Sequence, residues 1–144
     1  MEYGETLYAS GTLVEAAKLY KENLPADVTH LLAQGSSGNS IATAMAVLAG
    51  LEHRNLRVLI RRKGESAHTV WWVGPKRHEG VYCIVDDFVD TGEAIESLLC
   101  WACREQITVK YIMFTFKGSE LRGNTDFDTP ATIIRLPEIK EKDE

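Results

Sequence analysis

The chain has 144 residues, 44% of them hydrophobic and 26% charged, with a formal net charge of −5. That length can bury a sizeable core, and the composition is that of an ordinary soluble domain. The acidic balance argues against a broad nucleic-acid surface, leaving room for a local basic patch, and the longest apolar run, IATAMAVLAGL (41–51), is too short to span a bilayer.

The start, MEYGETLYAS (1–10), is acidic and mixed, so neither a signal peptide nor a membrane anchor is expected and a cytoplasmic location is. Thr12 with Glu15 forms a capping-box pattern. Leu13, Ala16, Ala17 and Tyr20 follow at helical spacing, predicting a helix that stops near Asn23, just ahead of Leu24-Pro25. VTHLLAQ (28–34) reads as a strand, GSSGNS (35–40) as a loop and 41–51 as a helix packed through small residues. LRVLIRR (56–62) is the next strand. KGESAHTVWWVGPKRHEG (63–80) is polar at both ends, and reads as a long loop or hairpin carrying a short strand at 70–73.

VYCIVD (81–86) is a continuous apolar run of the kind buried on both faces in a parallel sheet. An amphipathic helix over 93–104 turns Ile95, Leu98, Leu99 and Ala102 inward. VKYIMFTF (109–116) is another buried strand, and TIIRLP (132–137) a last short one. Alternation of strand and helix predicts an α/β fold: one domain over 1–144, with a parallel sheet, right-handed crossovers and helices on both faces.

Three cysteines are present, Cys83 in an apolar strand and Cys100 and Cys103 in CWAC. CWAC falls late in a helix, where the dipole does not lower a thiol pKa, and no second pair accompanies it. Small apolar helix residues in a reducing compartment is the reading taken. His30, His53 and His78 lack ligand-like spacing, so no zinc site is expected. Arg54, Arg57, Arg61 and Arg62 read as a solvated face plus a loop hinge, and Trp71 and Trp72 as packing residues of the hairpin.

Ligands on such sheets bind beyond the carboxyl ends of strands. There the chain places AQGSSGNS (33–40), DDFVDTGE (86–93) and the charged hairpin, which makes one candidate site from three loops. The glycine of DTGEA lets backbone N–H groups approach a ligand, and the helix start favours an anion; Asp90 and Thr91 can equally cap that helix. Asp86 and Asp87 would repel a bare phosphate, but they suit ribose hydroxyls, a hydrated Mg²⁺, or both. A sugar carrying a phosphate reconciles acids upstream with an anion cradle downstream.

IVDDFVDTGEAI (84–95) resembles the phosphoribosyl-pyrophosphate (PRPP) motif of the type I phosphoribosyltransferases: hydrophobic residues, two acids, an apolar pair and a Thr-Gly turn into a helix. GSSGNSIA (35–42) is similar to that family's pyrophosphate loop. RRKGESAH (61–68) resembles its flexible loop, with Arg62-Lys63 like the pair that opens it in orotate-type members. The resemblance implies a core over about 12–117 and a minimal base-selecting hood from 1–12 and 118–144. It implies transfer of 5-phosphoribose from PRPP to a nitrogenous base with release of pyrophosphate, Mg²⁺ as cofactor, and a homodimer.

By the same resemblance, Asp86 and Asp87 hold the ribose hydroxyls and a hydrated Mg²⁺, and Asp87 faces the charge growing on the ring. Asp90, Thr91, Gly92, Glu93 and Ala94 cradle the 5′-phosphate. Gly35, Ser36, Ser37 and Gly38 present N–H groups to pyrophosphate. Arg62, Lys63 and His68, with Lys76 and Arg77 as further candidates, neutralise the leaving group. Asp90 also matches a purine-contacting acid of the hypoxanthine-guanine branch. Three positions depart from the pattern: Ala94 lacks the usual hydroxyl, Glu93 adds a negative charge, and Gln34 stands where many relatives carry a base. They motivate a second reading, a non-catalytic module that senses PRPP or a nucleotide.

Overall fold

Apolar runs alternate with amphipathic stretches along the chain, and each run becomes a strand whose two faces are covered by helices. The computed structural model describes residues 10–61, 72–73, 79–88, 92–115 and 129–137. In chain order the elements are α1 (Ser10–Glu22), β1 (His30–Gln34), α2 (Gly35–Leu51), β2 (Arg57–Arg61), β3 (Trp72–Val73), β4 (Tyr82–Phe88), α3 (Glu93–Arg104), β5 (Val109–Thr115) and β6 (Thr132–Leu136).

The six strands form one sheet in the order β3-β2-β1-β4-β5-β6. β1 pairs in parallel with β2 and β4, β4 with β5, and β5 with β6. β3 alone among these runs antiparallel, pairing Ile60 with Val73 and Arg61 with Trp72. A short strand therefore does lie within the expected 70–73, at 72–73, antiparallel to β2; residues 70 and 71 lie outside the described residues. β6 comes from the stretch expected to supply part of the hood, and it joins the sheet edge.

Side chains alternate across the sheet and sort the core into two layers. Leu31, Ala33, Cys83, Val85 and Met113 pack with Ala16, Ala17 and Tyr20 of α1 and with Ile41, Ala42, Met45 and Ala49 of α2. Leu32, Leu59, Tyr82, Ile84, Ile112 and Phe114 face α3 through Ile95, Leu98, Trp101 and Ala102. The helices lie on both faces, as expected. In α3, Trp101 is buried and Leu99 only partly so, which leaves Cys100 and Cys103 exposed on either side of an inward Trp. Cys83 is buried, and burial pushes its thiol pKa up.

Two local readings change. α1 begins at Ser10, so Thr12 lies inside its first turn and does not stand ahead of it as a cap. More consequentially, GSSGNS is not a loop: α2 starts at Gly35, immediately after β1. Gly35 takes φ +80°, which a residue without Cβ adopts freely, and this lets the chain turn from strand to helix with no intervening residue. Small polar residues carry weak helix propensity, and the packing of the following turns decides the matter.

Candidate functional site

The strand order reverses between β1 and β4: β1 leads outward to β2, whereas β4 leads the other way to β5 and β6. At such a switch point the two crossover helices leave on opposite faces, and a crevice opens beyond the carboxyl ends of the strands. Three predicted groups meet there. Gly35 to Gly38 form the first turn of α2 beyond β1, Asp86 and Asp87 lie near the end of β4, and Gly92 opens α3.

Neither helix start is capped by the side chain of its own N-cap residue. Gln34, the N-cap of α2, is extended at φ −139° and ψ 142° and makes no side-chain capping bond. Gly92, the N-cap of α3, has φ 82° and carries no side chain that could cap. The first N–H groups of each helix lack intrahelical partners, so each start is a donor cluster at the positive end of the helix dipole. Converting the expected pyrophosphate loop into a helix turn therefore preserves its donors.

The acid pair is held from several directions. The β4–β5 ladder runs in register from Cys83 to Val85 and resumes at Phe88, with an irregularity between them. Pairing of β4 with β1 ends earlier, at Ile84. Asp86 and Asp87 are thus the stretch where β4 leaves both neighbours. Tyr20 of α1 is fully buried, and its hydroxyl donates to the Asp86 carbonyl at 2.7 Å while lying 2.6 Å from the Thr115 hydroxyl. The Asp87 carbonyl is 3.4 Å from the same oxygen. The Tyr20 hydroxyl thereby satisfies a backbone acceptor that the broken ladder abandons. Asp86 also folds back on itself, its Oδ1 accepting from the Asp87 N–H at 2.8 Å.

Gly38 sets the spacing between α2 and this turn. A Cβ there would lie 3.1 Å from the Val85 carbonyl oxygen and 3.5 Å from Asp86 Oδ1. A hydrogen at that position lets the helix start approach the acid pair without displacing the Val85 carbonyl by a few tenths of an ångström. Burial first, and then the neighbouring Asp87 carboxyl, push the Asp86 pKa up to about 8. At neutral pH this acid therefore holds a proton, so the pair offers both a donor and an acceptor. That is the hydrogen-bonding character which adjacent sugar hydroxyls require.

Several expected site residues lie outside the described residues: Arg62, Lys63, His68, Lys76, Arg77, Asp90, Thr91 and Trp71, along with the side chains of Ser36, Ser37 and Trp72. Of the other cradle residues, Gly92 is buried, Glu93 exposed and Ala94 half-buried. Two contributors escaped sequence reading. Tyr20 carried only a core signal through its helical spacing. Arg61, expected on a solvated face or hinge, is half-buried and turns towards α3, where it donates to the Ser97 hydroxyl and lies 3.5 Å from the Gln34 side-chain oxygen.

Against known structures, the chain is similar to orotate phosphoribosyltransferase from Francisella tularensis, with TM-score 0.72 at 14% identity, covering 91% of this chain and 68% of that one. It is similar to the Mycobacterium tuberculosis orotate phosphoribosyltransferase solved with PRPP, at TM-score 0.70 and 12% identity, covering 95% and 79%. Adenine phosphoribosyltransferase from Thermoanaerobacter pseudethanolicus follows at TM-score 0.61 and 13% identity, covering 94% and 86%. The fold is that of the type I phosphoribosyltransferases. No protein-family model and no curated protein sequence matches the chain. At such identities the type I phosphoribosyltransferase likeness resides in the backbone.

Among the described residues, no helix is long and apolar enough to cross a membrane. Nor do those residues hold a cluster of three or more His, Cys, Asp or Glu side chains able to grip a metal by themselves. Two carboxylates suit Mg²⁺ when phosphate oxygens and water supply the remaining ligands. Asp86 and Asp87 fit that division of labour.

Proposed function

We propose that the protein is a phosphoribosyltransferase, joining 5-phosphoribose from PRPP to a nitrogen of a base and releasing pyrophosphate. The observation that carries this reading is the acid pair set between two helix starts whose N-cap residues make no side-chain capping bond, at the switch point of the sheet. The base nitrogen forms a bond to C1′ as the C1′–oxygen bond breaks, and pyrophosphate departs with the electron pair. Asp86 and Asp87 orient the ribose through its hydroxyls, and the Asp87 charge stabilises the cationic character of the ring. N–H groups of Asp90 to Ala94, with the Thr91 hydroxyl, hold the 5′-phosphate. Those of Gly35 to Gly38 hold pyrophosphate, with Arg62, Lys63 and His68 closing over it. Asp86 and Asp87 would be the residues to hold a Mg²⁺ ion, which would supply charge neutralisation for the departing pyrophosphate.

Incubation with Mg²⁺ and PRPP against adenine, hypoxanthine, guanine, orotate, uracil and nicotinamide is expected to give a nucleoside monophosphate and equimolar pyrophosphate with one of them. Absence of both products across the panel, with PRPP still raising the melting temperature, would instead select the sensing module. The half-buried Ala94, which has no hydroxyl to offer a phosphate, favours that second reading. One such charge-assisted bond is worth about 1.5–3 kcal/mol.

We also propose a homodimer. The 17 residues of α2 include no charged side chain, yet Val47 and Leu51 are 59% and 74% exposed. Val47, with Val14 of α1, borders a groove of about 510 Å³ between the two helices. A helix apolar on nearly every side is normally covered. Size-exclusion chromatography with light scattering should return twice the 16.1 kDa chain mass, and Val47→Asp should halve it. Monomeric elution of the unaltered protein at micromolar concentration would refute the dimer.

A further inference from the structure

We infer that Arg61 is a pyrophosphate-binding residue, a built-in cation that meets the leaving group of PRPP before any loop closes. The inference rests on the phosphoribosyl-transfer reading and extends it to a residue on the rigid sheet.

Arg61 is the last residue of β2 and pairs in register with Gln34, the last residue of β1. Gln34 is also the N-cap of α2, so the guanidinium lies beside the strand end from which the Gly35–Gly38 turn departs. Leu59, two residues earlier, faces α3, and Arg61 keeps to that face, reaching the Ser97 hydroxyl. Its aliphatic stem is thus packed between sheet and helix, and the charged head sits at the carboxyl edge of the sheet.

The partners are what make this arrangement informative. A guanidinium carries five N–H donors and a charge that is seldom withdrawn from water unless an anion answers it. Arg61 is half-buried, and its hydrogen-bond partners among the described residues are a side-chain amide oxygen and a hydroxyl, both neutral. No carboxylate among those residues pairs with it; the described ion pairs join Lys21 to Glu52 and Lys110 to Asp27. Among the described residues, then, this cation is positioned and partly desolvated with no carboxylate set against it. A bidentate phosphoryl oxyanion is the ligand that this fork suits. Next to the α2 start, the phosphoryl group within reach is the diphosphate. The arrangement also answers the departure at position 34: Gln34 carries no charge, and Arg61 delivers one to its side-chain oxygen.

Titration calorimetry with Mg²⁺ and inorganic pyrophosphate tests this without any base or turnover. Arg61→Gln is expected to weaken pyrophosphate binding by about tenfold or more, corresponding to one lost charge-assisted contact. Arg61→Lys, which keeps the charge, should recover most of that loss. Ser97→Ala, which removes the tether to α3 and leaves the guanidinium, should stay within about threefold of the unaltered protein. Arg61→Met, retaining the aliphatic stem, is the second neutral variant if Arg61→Gln does not fold. Ribose 5-phosphate forms a parallel arm, and its affinity should change little. Pyrophosphate affinity unchanged in both neutral variants overturns the inference. So does an equal loss in Ser97→Ala, which would make Arg61 a strut, or a loss confined to ribose 5-phosphate. An unaltered protein that binds neither pyrophosphate nor PRPP fails differently, because it overturns the phosphoribosyl-transfer reading itself.

Discussion

Asp87→Asn is expected to reduce phosphoribosyl transfer at least about a hundredfold, the scale set by removing one preorganised electrostatic contact to a transition state. The change keeps side-chain volume, and the backbone N–H that donates to Asp86 Oδ1 at 2.8 Å is untouched. The fold should therefore hold, with a melting temperature within about 2 °C of the original. The loss should fall mainly on kcat, because the charge matters most once the ring turns cationic, and PRPP affinity should change far less. Steady-state kinetics with the base identified by the panel measures both. Turnover within threefold of the unaltered enzyme would strip Asp87 of its role and leave the acid pair a structural feature.

The second large effect concerns stability, and it runs opposite to activity. The Asp86 pKa is pushed up to about 8, mainly by burial, from an ordinary value of 3.8. The folded protein thus retains a proton that the unfolded chain releases as pH rises above about 4. Between about pH 4 and 8 the folded state binds the extra proton, so its stability falls as pH rises and levels off beyond 8. Asp86→Asn removes that slope. The difference in melting temperature between Asp86→Asn and the original should be near zero at pH 4. By pH 8 it should grow to roughly 5–10 °C, corresponding to about 2–3 kcal/mol after allowance for solvent relaxation around the carboxyl. The same substitution should impair transfer, since an amide cannot ionise beside a bound cation as the carboxyl can. A flat difference from pH 4 to 8, measured without Mg²⁺ or PRPP, would refute the elevated pKa. Saturating Mg²⁺ and PRPP should shrink the difference, because a cation near the pair favours its ionised form.

Much of this could be read before any coordinates. β4 and α3 follow from a run of apolar residues, a glycine and an amphipathic repeat, three signals that agree with one another. Glu93–Arg104 accordingly matches the predicted span, and the acid pair appears at the strand end where the sequence placed it. Gly35 to Gly38 were misread because glycine and serine favour turns locally, and the packing of Ile41, Ala42 and Met45 overrules that preference. Tyr20 and Arg61 were illegible for another reason. Periodicity reports which face a residue occupies, whereas their roles lie in where a hydroxyl or guanidinium ends. Those endpoints are set by elements far along the chain, at Asp86 and Thr115 for one and at Ser97 for the other.

The Tyr20 hydroxyl reaches across sequence separations of 66 and 95 residues. Contacts so distant close late, after much of the loop entropy between them has been spent. The phosphate cradle of α3 is local, needing little beyond β4 and a glycine, whereas the geometry of the acid pair waits for α1 to dock. Detachment of that one helix, a partial opening well short of global unfolding, would release the Asp86 carbonyl and leave the cradle standing. On the phosphoribosyl-transfer reading, the protein in that state would keep a grip on phosphate and lose its hold on the sugar. Activity thus inherits the stability of the first helix, and any influence that loosens α1 acts on the sugar site from a distance.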